Sequence, residues 1–185
     1  MTDGRLNEAL LSDERIPREQ VILWINDAQG LSTLSKLYRL TREGCYRIHP
    51  DLGSEVTCTL IQRYLLECIR QNITEDDEIE DRWEAAATLH QWFCHLAEME
   101  DTSAILKKAS HALTELFLVS GQDIQMAIEQ GFLEHALEMA ALRPYFEHWS
   151  SNARLRAAWE RALAWGEAHP GYTWRLLTQR HRSDK

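Results

Sequence analysis

Residues 75–99 read EDDEIEDRWEAAATLHQWFCHLAEM, and the spacing of apolar residues in that stretch decides the fold class. Ile79, Trp83, Ala86, Ala87, His90, Phe93, Cys94 and Ala97 recur at threes and fours, which places them on one helical stripe. Ala85, Leu89, Trp92, Leu96 and Met99 form a second stripe. Glu84, Thr88, Gln91, His95 and Glu98 remain as one narrow polar line. A helix that is apolar around most of its girth needs other helices to cover it. The segment is therefore expected to be the central helix of an all-α protein. Thr74 is its expected N-cap, with the acids behind it near the positive end of the helix dipole.

The same period continues on both sides. A short helix is expected over Asn7–Leu11. Another starts at Pro17, carries Val21, Trp24, Ile25 and Ala28 on one face, and ends at Gly30. Leu34, Leu37 and Tyr38 mark a helix over Leu31–Glu43, and His49-Pro50 breaks the chain because the residue before proline avoids helical angles. Cys58, Ile61, Leu65, Cys68 and Ile69, widened by Val56, Leu60 and Tyr64, give a helix over Ser54–Gln71.

Downstream, Asp101 or Thr102 is expected to cap a helix bearing Ile105, Ala109, Leu113, Leu116 and Phe117. Ser120 and Asp123 have the spacing of a capping box for the next helix, with Ile124, Ala127, Ile128, Phe132, Leu133, Ala136 and Leu137 on its face. Arg143-Pro144 breaks the chain. Ser151 or Asn152 then starts a helix that holds Leu155, Ala158, Trp159, Ala162 and Leu163 in register, and His169-Pro170 stops it. The expected architecture is an irregular orthogonal bundle of seven to eight helices. Armadillo-like stacking of helix pairs is the alternative. One helical domain is expected over residues 1–177, with a polar, frayed tail over 178–185.

Composition agrees with that class. Of 185 residues, 44% are hydrophobic and 26% charged, and there are only four prolines and eight glycines. A chain of this size needs no metal or disulfide staple to fold. Cys45, Cys58, Cys68 and Cys94 contain no C-x-x-C pair, so reduced, buried thiols are expected. The first eleven residues lack the apolar core of a signal peptide. No apolar run approaches the roughly 18 residues of a membrane span. A soluble, cytoplasmic chain is the expectation. Net charge is −9. Residues 1–140 hold 25 acidic and 12 basic side chains, whereas residues 141–185 hold 4 and 8. An acidic body repels a phosphate backbone, so nucleic acid is not an expected partner. A helix-turn-helix over Glu19–Arg39 fails for a related reason, because its second helix begins Leu31-Ser32-Thr33-Leu34-Ser35-Lys36 and offers a groove only one charge.

Catalytic motifs are missing. There is no G-x-G-x-x-G, no G-x-x-x-x-G-K-[ST], no G-x-S-x-G and no H-E-x-x-H, and none of the eight histidines follows a glutamate by three. His90 and Cys94 share a face at i, i+4, but one pair falls short of the three or four ligands of a zinc site. They read as a core histidine beside a buried thiol. No metal and no cofactor is expected, and the acidic run from Glu75 to Glu84 has no calcium-loop spacing.

The candidate binding residues are His95 and Glu98 on the polar line, then His135, Arg143, Tyr145 and Trp149 around the Pro144 turn. Trp165 and Trp174 join them as candidate interface anchors, since interfaces enrich tryptophan. The expected function is a protein–protein interaction module, immunity- or antitoxin-like, whose acidic surface steers a basic partner into place. The alternative is a helical enzyme or small-ligand binder with a His/Glu-lined cleft.

Overall fold

Asp81 sets where the decisive helix begins. Its Oδ1 accepts the backbone N–H groups of Trp83 and Glu84 at 2.8 and 2.9 Å, satisfying two donors that have no partner within the helix. The helix therefore covers Arg82–Glu98, later than the expected start at Glu75. The computed structural model describes residues 2–72, 79 and 81–170. Thr74, most of the acidic run, Trp174 and the tail over 178–185 lie outside the described residues. The protein is all-α, with 78% helix, and the described residues form nine helices, eight of them seven residues or longer, when the continuous rod over 122–138 is counted as one. Armadillo-like stacking is not shown.

The chain divides into two compact units, Met1–Ala85 and Ala86–Lys185. The first contains α1 (Thr2–Leu11), α2 (Arg18–Asp27), α3 (Gly30–Glu43) and α4 (Ser54–Gln71). Gly30 opens α3 instead of ending α2. Its φ of +78°, a conformation in which a Cβ would be strained, redirects the chain after Asp27. Two-residue strands β1 (Ile16–Pro17) and β2 (Ile48–His49) pair in parallel, Ile16 against Ile48.

The core of this unit follows the predicted stripes. Val21, Trp24, Ile25, Leu34, Leu37, Leu60, Leu65, Cys68 and Ile69 are buried, and Tyr38 stacks on Tyr64 with ring centroids 4.4 Å apart. Two arginines close the helix ends. Arg63 donates to the carbonyls of Ile25 and Ala28, where α2 runs out of partners. Arg47 donates to Ala9 and to Glu14, the latter at 3.2 Å.

The second unit holds most of α5 (Arg82–Glu98), then α6 (Ser103–Val119) and a rod made of α7 (Gln122–Ile128), a π turn over Glu129–Leu133 and α8 (Glu134–Glu138). It ends with α9 (His148–Ser151) and α10 (Arg156–Ala168). The π turn has a packing reason. Ile128, Leu133 and Leu137 are all fully buried, yet Ile128 and Leu133 are five apart. An i→i+5 turn absorbs the extra residue and keeps both on one face. Phe93 of α5, Phe132 of the π turn and Phe146 close the centre, each pair of rings 4.9–5.8 Å apart.

Three expected caps differ. Thr102 stands at the N-cap of α6, but its hydroxyl turns back to the Leu96 and Met99 carbonyls and closes α5. The Ser120/Asp123 capping box does not form. Gly121 holds the N-cap position, and the Gln125 amide instead donates to the Phe117 and Ser120 carbonyls, the free end of α6. Asn152 does not start α10 directly. Its Oδ1 accepts Arg154 N–H at 2.9 Å in a turn, and the helix begins at Arg156.

On α5 the two apolar stripes are covered at Ala85, Ala86, Leu89, His90, Phe93, Cys94 and Leu96. Glu84, Gln91, His95 and Glu98 are exposed, and so are Trp83 and Met99 near the two ends. Among the described residues, no helix is long and apolar enough to cross a membrane.

Candidate functional site

The predicted site residues go to separate places. His95 and Glu98 are open to water, one helical turn apart on the polar edge of α5. Trp149 is fully buried, with its ring 4.8 Å from Phe117 and its Nε1–H donated to Thr114 Oγ1 at 2.8 Å. Arg143 turns its Nε to the Leu137 carbonyl at 2.8 Å, closing the end of α8. Trp174 lies outside the described residues. Only His135, Trp165 and Tyr145 belong to clusters of polar side chains.

The first cluster is built on one turn of α8 and one turn of α5. His135 and Glu138 are three apart, so a helix puts them on one face, and Nδ1 meets Oε1 at 2.9 Å. The Glu138 side chain is only 1% exposed. The Trp165 ring stands edge-on to His135 at 4.8 Å and stacks on His169 at 4.4 Å. Beneath them, the His90 ring is 5.8 Å from that of His135, with Nε2 3.1 Å from the Cys94 sulfur. Cys94 Sγ also lies 3.2 Å from Met139 Sδ.

Burial dominates the electrostatics here. It pushes the Cys94 thiol up to about 12, with the Glu98 and Glu138 carboxylates adding to the effect. It pushes His90 down to about 4, and His135 helps, while Glu138 and a hydrogen bond to the His135 backbone oppose. Near neutral pH the thiol is thus protonated and His90 is neutral. A protonated, buried thiol is no nucleophile. This cluster therefore lacks an activated nucleophile beside a base.

The second cluster lines an open groove of about 670 Å³ between α6 and the segment from Ala141 to Ser151, with Lys107, His111, Tyr145, Glu147 and His148 on its walls. The His111 and His148 rings are 5.2 Å apart. Thr114 orders the floor. Its hydroxyl donates to Ser110 O at 2.7 Å and accepts from Trp149, so with its one proton committed it accepts from His148 Nε2 at 3.1 Å. Burial lowers the His148 pKa and the adjacent His111 lowers it further, against a hydrogen bond to the Tyr145 backbone.

Some of this was visible in the chain. His135/Glu138 and His90/Cys94 are same-face pairs that their spacing reveals. Met139 and the meeting of His111 with His148 carry no local signal, because they depend on how α5 and α6 pack against residues 34–45 positions away. Counting His, Cys, Asp and Glu alone, no three gather as a metal site among the described residues. No family model, curated protein or solved structure matches the chain.

Proposed function

We propose that the protein is an interaction module that binds a basic protein partner through the carboxylate-rich surface of residues 1–85, in the manner of an immunity protein or antitoxin. Those residues carry 17 acidic and 10 basic side chains. The observation that carries the reading is where two of the ten point. Arg47, 6% exposed, and Arg63 both reach inward to backbone carbonyls. Their charge is used inside the fold, which leaves the outer face more negative than composition implies. Such a face speeds encounter with a cationic partner and rejects anionic ones.

The test is affinity capture from native extract at about 0.05 M and about 0.5 M salt, since screening weakens exposed charge pairs. A variant with Glu8, Asp13, Glu19 and Glu55, all exposed, changed to their amides serves as comparison. A basic protein held by the wild type at low salt, and lost in the variant and at high salt, is the expected result. Equal retention by the variant would overturn it.

A second reading, small-ligand binding, is supported by the groove at His111, Glu147 and His148, whose size suits a small molecule. Native mass spectrometry that finds a retained small molecule and no protein partner would reverse the order.

A further inference from the structure

Three metal-binding atom types meet around Cys94. Its Sγ is 3.1 Å from the imidazole nitrogen Nε2 of His90 and 3.2 Å from the thioether sulfur of Met139. Two of the three come from one face of α5, and the third is the residue that caps the C-terminal end of α8. Their hydrogens do not suffice for their lone pairs. The thioether has none to give, and the thiol has one. In the tautomer that carries its proton on Nδ1, His90 presents the Nε2 lone pair to the thiol. In that tautomer one proton sits among three acceptor atoms.

We propose that this cluster is a binding site for a soft monovalent cation, Cu(I) above others, held by the Cys94 thiolate, His90 Nε2 and Met139 Sδ. Thiolate and thioether ligands select soft ions such as Cu(I). Charge selects further. Binding exchanges one cation for one proton: the S–H bond breaks, an S–Cu bond forms, and H⁺ leaves to solvent. The net charge of the cluster is unchanged, which matters where His90 is 2% exposed and Cys94 fully buried. A divalent ion would leave one uncompensated positive charge in the same place, at the cost of desolvating it. Structural zinc also takes four ligands, and three are present here.

Geometry requires the cluster to open around the sulfur. Ligands about 2.0–2.3 Å from a metal in a trigonal array stand roughly 3.5–4 Å from each other, about 0.3–0.9 Å beyond the 3.1 and 3.2 Å that separate Cys94 Sγ from its two neighbours. Met139 can supply its share of that movement, being half-buried, unbranched and outside the regular helix, and the rest falls to rotation of the His90 and Cys94 side chains on α5. Its partial exposure also gives the ion a way in. The hydrogen bond from His90 to the His135 backbone is the kind of outer contact that orients a ligating imidazole.

The test uses the full chain with Cys45, the exposed thiol, changed to serine. Cu(I) is titrated under reductant against a chromogenic Cu(I) chelator, with Ag(I) as a redox-silent check. The expected result is one ion per chain, one proton released per ion near neutral pH, and a thiolate-to-metal charge-transfer band. Zn(II) at equal concentration should not displace the ion. Met139→Leu, which keeps the volume and the fold, should weaken binding by about tenfold or more, and Cys94→Ser should abolish it. Circular dichroism confirms folding of each variant. Binding by Cys94→Ser equal to that of the parent overturns the site, as does Cu(I) affinity untouched by Met139→Leu. Tighter Zn(II) than Cu(I) binding overturns the choice of ion.

Discussion

Gly166 of α10 lies directly against the backbone of Leu137 in α8: a Cβ at position 166 would stand 2.7 Å from the Leu137 carbonyl carbon and 2.8 Å from the nitrogen of Glu138. Real side chains do not come that close to backbone, and backbone cannot rotate away. Helix α10 is therefore set at this distance by the missing methyl group. Gly166→Ala is expected to destabilise the second unit by about 1–3 kcal/mol, the usual cost of overpacking, although alanine is the better helix former. Urea unfolding of the variant beside Glu167→Ala, an exposed neighbour, checks it. Equal midpoints for the two would remove the close contact from the account.

Thr114 is the joint between the core and the groove. Its hydroxyl holds the Trp149 indole N–H in a fully buried position. Thr114→Val preserves shape but leaves that N–H with no acceptor, at a cost of about 1–3 kcal/mol. The same change frees His148 Nε2. A loss of stability accompanied by a changed His148 titration, followed by NMR, is expected. A variant as stable as the wild type would show that the indole finds another partner.

The period of three and four was enough to find the helices, because burial on one face is a local property of the chain. Ser54–Gln71 and the stop at His169-Pro170 emerge as read. Helix ends were harder. Asp81, Thr102 and Gln125 each satisfy backbone groups that other side chains could equally have reached, and the choice depends on tertiary position. The same holds for the candidate site. Tyr145 and His135 lie in polar clusters, while Trp149 and Arg143 serve packing and a helix end, and nothing in the spacing separates these roles.

Arg63 joins α4 to the last carbonyls of α2. Its two nitrogens reach Ile25 O and Ala28 O together, a fork that a lysine ammonium cannot reproduce. Arg63→Met is expected to cost about 1.5–3 kcal/mol, the range for hydrogen bonds to a charged group, and Arg63→Lys should recover less than half of it. Hydrogen exchange should rise at the C-terminal turn of α2 in the methionine variant. Full rescue by lysine would mean that charge alone, and no forked geometry, supports the turn.

His90 makes stability depend on pH in a defined window. Burial holds its folded pKa at about 4, against 6.5 for the free side chain. Between those values the unfolded chain takes up a proton that the folded chain refuses, so acid favours unfolding. The contribution is fully present above about pH 6.5 and drains as pH falls towards about 4, by at most about 3 kcal/mol at 1.36 kcal/mol per unit. Urea midpoints measured from pH 7.5 to 4 in the presence of a chelator should therefore fall more steeply for the wild type than for His90→Gln, which has no proton to take up. Titrating groups away from the cluster are common to both chains and cancel in the difference, whereas His135 and Glu138, which act on His90, are followed separately by NMR. Parallel curves would mean that His90 accepts its proton in place, with water reaching the ring from the Met139 side.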